Sequence, residues 1–265
     1  MPSCHRTMEL IDTHCHLTFD DLACDIDGVL ARSAAAGVTE WITVGTDPQE
    51  NRKAIEFAER FENMYAAVGI HPHDAKIVTG EMLAELKKIA QHKKVAAIGE
   101  TGLDYHYDFS PRQQQKEVFA EHLKLAGELS LPVIIHSREA FDETMGILNE
   151  QRSDIERVVF HCFSGSPEQA KVVLDKGFYI SYTGVVTFKN ARIKQEAARI
   201  VPLDKLMLET DSPYMSPEPM RKQKVNEPAF MIHTAKFLAE LKQMDLEDFA
   251  QAVTATSKDF FALTT

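Results

Sequence analysis

The chain has 265 residues, of which 44% are hydrophobic and 26% charged, and its formal charge is −11. That length and apolar content suit one sizeable buried core rather than a disordered or fibrous chain, and no apolar run approaches the ~20 residues that a bilayer span needs. The acidic balance disfavours a broad basic surface for gripping polyanions, so a phosphate-bearing substrate must be held by local groups or bound cations.

Residues 1–7 lack the apolar stretch of a signal peptide and read as an extension ahead of a domain over 8–265. The four cysteines, Cys4, Cys15, Cys24 and Cys162, have no framework spacing, which points to reduced thiols and a cytoplasmic protein. A first strand is expected over Glu9 to His14, leading into His16. Histidines at i and i+2 of a strand share a face with Cβ atoms roughly 6–7 Å apart, close enough for one metal ion. The ordinary alternative is a pair of polar residues at a strand end.

Seven further β-rich runs follow: Trp41 to Thr46, Tyr65 to Ile70, Val95 to Glu100, Pro132 to His136, Arg157 to Cys162, Phe178 to Tyr182 and Leu206 to Asp211. Their near-continuous Val, Ile and Ala content predicts strands covered on both faces, as in a parallel sheet. Helical patterns separate them. Asp25 to Ala36 stops at Gly37, and Pro48 to Phe61 follows the N-cap signal Asp47-Pro48. Gly80 to His92 and Arg112 to Leu129 carry apolar residues at helical spacing, Glu168 to Lys176 opens on Ser166-Pro167 and ends at Gly177, and Pro228 to Lys242 and Leu246 to Phe261 close the chain. Eight alternations of strand and helix predict a single-domain (β/α)8 TIM-type barrel. An open doubly wound sheet fits less well, because no G-x-G-x-x-G follows the first strand and the polar candidates lie at the ends of many strands.

Those strand ends carry His14, His16, His71, Glu100, His136, His161 and Asp211. In a barrel they converge on the C-terminal mouth, where four histidines and two carboxylates suffice for two divalent ions. Glu100 in a buried strand demands a compensating cation. Glu209 shares the direction of Asp211 on strand parity; Asp211 is preferred for the site as the nearer to the strand's end. Cys15 and Cys162 fall on the opposite parity and are expected to pack against helices. His5, His92, His106, His122 and His233 lie in expected loops or helices and read as surface residues, and His73 falls in the turn after Pro72.

The ordered motifs His14-x-His16, Gly69-Ile70-His71-Pro72, Gly99-Glu100-Thr101-Gly102-Leu103-Asp104, His136-Ser137-Arg138, His161-Cys162-Phe163-Ser164-Gly165, Glu209-Thr210-Asp211-Ser212-Pro213-Tyr214 and Asn226-Glu227-Pro228 resemble those of the TatD-type deoxyribonucleases, in the amidohydrolase-like group. The resemblance runs from about Met8 to the final helices. It implies that His14, His16 and Asp211 bind one metal, that Glu100 bridges two, and that His136 and His161 bind the second. It also implies metal-dependent cleavage of DNA, 3′-5′ on single strands. On that reading Asp211 orients the attacking water and takes its proton, Glu100 fixes the intermetal distance, and His71 contacts a phosphate or leaving-group oxygen. Arg138 either does likewise or pairs with a neighbouring loop. Histidine and carboxylate ligands suit Zn, Mn, Ni or Fe, while Mg prefers an oxygen-rich shell. A rival reading keeps the centre for a carbon ester, lactone or amide, since fold does not fix function. A non-enzymatic binding module is disfavoured because all six ligand positions are present. The expected partner is DNA with single-stranded ends, no membrane is involved, and a monomer is the default.

Overall fold

A computed structural model describes residues 8–151 and 155–263; the expected extension over 1–7 lies outside the described residues. Eight strands form one parallel sheet in chain order, β1 (Leu10–Cys15), β2 (Val38–Val44), β3 (Met64–Val68), β4 (Val95–Asp104), β5 (Val133–Arg138), β6 (Val158–Phe160), β7 (Tyr179–Tyr182) and β8 (Leu206–Leu208). The helices wrapped around them are α1 (Asp20–Ala23), α2 (Ile26–Ala35), α3 (Pro48–Arg60), α4 (Gly80–Ile89), α5 (Arg112–Leu129), α6 (Phe141–Glu150), α7 (Pro167–Asp175), α8 (Arg192–Ile200), α9 (Met231–Leu241) and α10 (Leu246–Phe261). This is a (β/α)8 barrel, as the alternation predicts. Among the described residues no helix is long and apolar enough to cross a membrane.

Local signals place the helix ends. The Asp47 carboxylate accepts from the backbone of Gln49 and Glu50 ahead of Pro48, Ser166 and Gln169 form a capping box at α7, and Gly37 and Gly177 take positive φ after α2 and α7. Three helices, α1, α6 and α8, open on no side-chain cap and stand outside the sequence-based expectation. α6 begins after Ala140 without a side-chain cap. α8 aligns Ile193, Ala197 and Ile200 on one face, but buries only Ala197 and Ala198 and leaves Ile193 and Ile200 exposed.

Two cores are separated by the strand wall. Outward residues such as Val68, Ile135, Phe160 and Ile180 pack under the helices. Inward residues Ile42, Ala67, Ala97, Ile134, Val159 and Met207 fill the barrel, and Phe260 and Phe261 of α10 plug it from below. Above that plug, alternation brings the next inward positions to the mouth: Ile134 is followed by His136, Val159 by His161 and Met207 by Glu209.

The ring closes where the chemistry is. The ladder of paired strands runs from β1 to β8, and β1 meets the segment after β8 through irregular bonds: Asp211 N–H donates to His14 O at 2.9 Å, His16 N–H to Ser212 O at 2.8 Å, and Thr13 Oγ1 to Leu208 O at 2.9 Å.

Candidate metal centre

β1 delivers His14, fully buried, and His16 follows at its end with 4% exposure. Their Nε2 atoms stand 3.3 Å apart and face each other. β4 runs four residues past Glu100, the expected end, and brings Asp104 to the mouth. Its glycines allow that path. Gly102 sits at φ +139°, and a Cβ there would lie 2.0 Å from the His136 carbonyl oxygen. β5 supplies His136, and His161 follows β6 directly. Asp211 is not on a strand: β8 ends at Leu208, and Asp211 lies in the following turn at φ +54°. That turn is held from below by Asp12, whose buried carboxylate accepts from Thr210 N–H at 2.9 Å and Thr210 Oγ1 at 2.5 Å. Burial pushes the Asp12 carboxyl up to about 7 against those hydrogen bonds.

Glu100 is the hub. Its Oε1 lies 2.7 Å from His136 Nδ1, 2.8 Å from His161 Nε2 and 3.6 Å from His71 Nε2; its Oε2 lies 3.4 Å from His14 Nε2 and 4.0 Å from His16 Nε2. Asp211 Oδ1 stands 3.3 Å from His16 Nε2 and 3.7 Å from His14 Nε2. Burial by itself would raise the Glu100 pKa, but the charges of His161 and His71 and the hydrogen bonds from His136 and His14 outweigh it and hold it well below the ordinary carboxylate range. Asp211 behaves alike: burial opposes ionisation, and His16, His161 and His14 together lower its pKa. Burial opposes the charged form of His161 as well, and the charges of Glu100 and Glu209 override it and raise its pKa well above the ordinary value. His71 is different, because burial outweighs Glu100 and lowers it to about 4.

A second set of partners orients these rings. His16 Nδ1 lies 3.2 Å from Val44 O, His161 Nδ1 3.4 Å from Glu209 Oε1, and His136 Nε2 2.9 Å from Asp104 Oδ2. Such outward polar contacts orient the rings of histidines that carry a metal on the other nitrogen. Glu209 also accepts from Ser181 Oγ and Cys162 N–H, so it is fully occupied behind the site while Asp211 faces the cavity.

The donor set fits divalent cations. Three groups have ligand atoms within 4.8 Å of one another: His14, His16 and Asp211; His14, Glu100 and His161; His71, Glu100 and His136. A ring lodged between two carboxylates, as His136 is between Glu100 and Asp104, needs either an extra proton or a cation. The cavity above them, about 800 Å³, is lined by five carboxylates, Asp74, Glu100, Asp104, Glu139 and Asp211, against the cations Arg138 and Lys194. Added positive charge is what such a lining lacks.

All seven residues singled out from the sequence meet in this mouth. Two were missed. Asp104 lies at the far end of a strand whose glycines, Gly99 and Gly102, read as a turn signal. His73 follows Pro72 in a 3-10 turn and places Nε2 3.1 Å from Asp104 Oδ2. Two expectations fail. His122 is not at the surface but fully buried on α5, where Nε2 accepts from Ile70 N–H at 2.9 Å and Nδ1–H donates to Val118 O. Cys162 does not pack against helices: the chain turns to φ +46° there, and Sγ lies 3.4 Å from Thr183 Oγ1 and from Met215 Sδ at the cavity wall. Burial raises that thiol to about 12. Cys15 is buried as expected, its thiol 3.4 Å from Ile42 O.

A parallel (β/α)8 barrel whose carboxyl mouth carries a histidine and carboxylate cluster suited to cations is a barrel of the metal-dependent hydrolase class. The particular family follows from comparison with known proteins. The family described as TatD related DNase matches residues 11–262, and the chain belongs to it. A Bacillus subtilis relative named uncharacterized metal-dependent hydrolase YabD is 41% identical over 96% of this chain and 99% of its own. A Cronobacter sakazakii protein named 3'-5' ssDNA/RNA exonuclease TatD is 35% identical over 89% of this chain and 91% of its own. Among solved structures, YjjV, a TatD homologue from Escherichia coli, superposes with a TM-score of 0.92 at 31% identity, covering 98% of this chain and all of that one.

Proposed function

We propose that this protein is a metal-dependent hydrolase that cleaves DNA phosphodiester bonds from the 3′ end of single strands. The observation that carries the reading is the cluster around Glu100, in which four imidazoles and two carboxylates bring ligand atoms to bonding range of a shared centre. The family membership and the name of the Cronobacter relative supply the substrate.

On this reading His14, His16 and Asp211 would hold one divalent ion, His136 and His161 would hold a second, and Glu100 would serve both. What divalent ions supply in such a site is charge against the phosphoryl oxygens and acidification of water. Asp211 takes the proton: its side chain lines the cavity, and a carboxylate kept ionised by its neighbours accepts a proton from an attacking water. Glu100, held from four sides, keeps the two halves of the site in register. His71 lines the cavity beside Glu100 and donates an N–H to a phosphate or leaving-group oxygen. The ligand set suits Zn, Mn, Ni or Fe, and Mg less well.

The test is hydrolysis of an end-labelled single-stranded DNA oligomer by protein that has been stripped of metal and then resupplied with Mg, Mn or Zn. A metal-restored ladder shortening from the 3′ end, absent in Asp211→Ala, is expected. Protein that holds metal yet cleaves no oligomer contradicts the reading. The excess of carboxylates around the cavity favours one rival, a carbon ester, lactone or amide, and a panel of such substrates run in parallel separates the two.

A further inference from the structure

Three aromatic side chains stand out in solvent among the described residues: Tyr107 at 48% exposure, Phe109 at 56% and Tyr214 at 54%. All three line the cavity that holds the histidine and carboxylate cluster. Exposing large aromatic rings is unfavourable, and rings gathered at one cavity mark a binding surface.

Their arrangement is two-sided. On one side Tyr107 and Phe109, in the loop between β4 and α5, lie nearly face to face, with centroids 5.3 Å apart and planes 27° apart. This pair rests on His73, whose ring centroid is 4.8 Å from that of Phe109 and 5.4 Å from that of Tyr107. His73 in turn faces Asp104 and lies 4.2 Å, ring to ring, from His71. On the other side Phe19 stacks on His16 at 4.8 Å and 16°, and Tyr214 stands edge-on to both, 6.3 Å from Phe19 and 6.4 Å from His16. One aromatic wall thus rises from the Glu100, His136 and Asp104 end of the cluster, and the other from the His14, His16 and Asp211 end.

We infer that Tyr107 with Phe109, and Tyr214 with Phe19, are two base-stacking walls that hold the nucleobases on either side of the scissile phosphate. The inference rests on the nucleic-acid reading above and adds to it how the strand is gripped. A phosphodiester over the cluster has a nucleoside on each side, and the structure offers an aromatic surface at each end. Stacking also answers the charge difficulty. Among the described residues Arg138 and Lys194 are the only arginine and lysine that line the cavity, and the Arg138 guanidinium lies over the Tyr107 ring at 4.8 Å. A chain of net charge −11 has little basic surface with which to follow a phosphate backbone, whereas base stacking is electrically neutral and tolerant of sequence. Duplex ends, whose bases are already stacked on one another, gain nothing from such walls, so the arrangement selects unpaired ends.

The test is binding of two fluorescein-labelled, phosphorothioate-linked hexanucleotides to the full chain, one of thymidine and one abasic throughout, followed by anisotropy. Tyr107→Leu, Phe109→Leu and Tyr214→Leu are each expected to weaken thymidine binding about tenfold and to leave abasic binding at the wild-type value, while Tyr107→Trp restores it. These side chains are exposed, so the variants should fold as the parent does. Variants that bind both probes as the wild type does overturn the stacking walls, and if the same protein still shortens DNA, the nuclease reading survives. Wild-type protein that neither binds the thymidine probe nor cleaves any oligonucleotide overturns both.

Discussion

The two ends of the barrel interior are made by the same strands and obey opposite rules. Below, Ile42, Ala67, Ala97, Ile134, Val159 and Met207 meet Phe260 and Phe261 in a dry plug. Two residues further along the strands, roughly 7 Å up, the inward positions are polar: His161 and Glu209, buried, and His136, half-buried. The plug gains free energy from every methylene it removes from water. The mouth loses it by desolvating charged groups, and only their mutual pairing, with the cations the site fits, offsets that loss. The plug therefore supplies the stability that lets the mouth hold its side chains in an arrangement set by chemistry and not by packing.

The largest expected effect breaks the comparison at the mouth. Glu100→Ala should lower turnover by at least about a thousandfold while circular dichroism and the cooperative unfolding transition stay near wild type; retained turnover would refute its bridging role. At the plug the reverse is expected. Phe260→Ala, at a fully buried ring, should cost about 3–5 kcal/mol in urea unfolding with little change in turnover per folded molecule, and a large loss of turnover in fully folded protein would mean that the two ends are not separable.

His122 sharpens the contrast between a histidine that gains carboxylate partners and one that has none. Burial lowers its pKa to about 4 from an ordinary 6.5. The folded state therefore refuses a proton that the unfolded chain accepts. Its contribution is fully present above pH 6.5 and is lost as pH falls towards 4, by up to about 3 kcal/mol. His122→Gln keeps an acceptor for the Ile70 N–H and cannot titrate there, so the stability gap between wild type and variant should shrink across that window; a gap that is flat with pH counts against the buried neutral ring. The smallest effect concerns Asp104. Asp104→Asn should weaken metal affinity by about 10–100-fold in calorimetric titration, because His136 loses its carboxylate partner, with Phe260→Ala as the control that leaves affinity unchanged. Equal affinities for Asp104→Asn and wild type would show that His136 needs no partner behind it.

Much of this was legible in the chain. The eight apolar runs, the caps at Asp47 and Ser166 and the stops at Gly37 and Gly177 are local, and a barrel is one of the two arrangements that cover both faces of parallel strands. Period-two alternation placed His14, His16, His136 and His161 on the inner side, because side-chain direction in a strand follows from position alone. Asp211 and not Glu209 lines the cavity, and it does so from a turn and not from the strand end that parity assumed. What local pattern could not supply lies where the chain leaves regular structure. Asp104 depends on β4 continuing past two glycines against the backbone of β5. Cys162 faces the mouth because a left-handed residue reverses the strand parity. His122 is buried because helix α5 happens to cover the amide of Ile70, a partner 52 residues away. The sequence by itself determined the strands, the order of the elements and the histidines that point inward, since these follow from periodicity and from nearest-neighbour chemistry. Only the tertiary structure decided which carboxylate meets which imidazole, which aromatic rings flank them and how β8 closes on β1, because those contacts join residues far apart in the chain, at distances that no local pattern encodes.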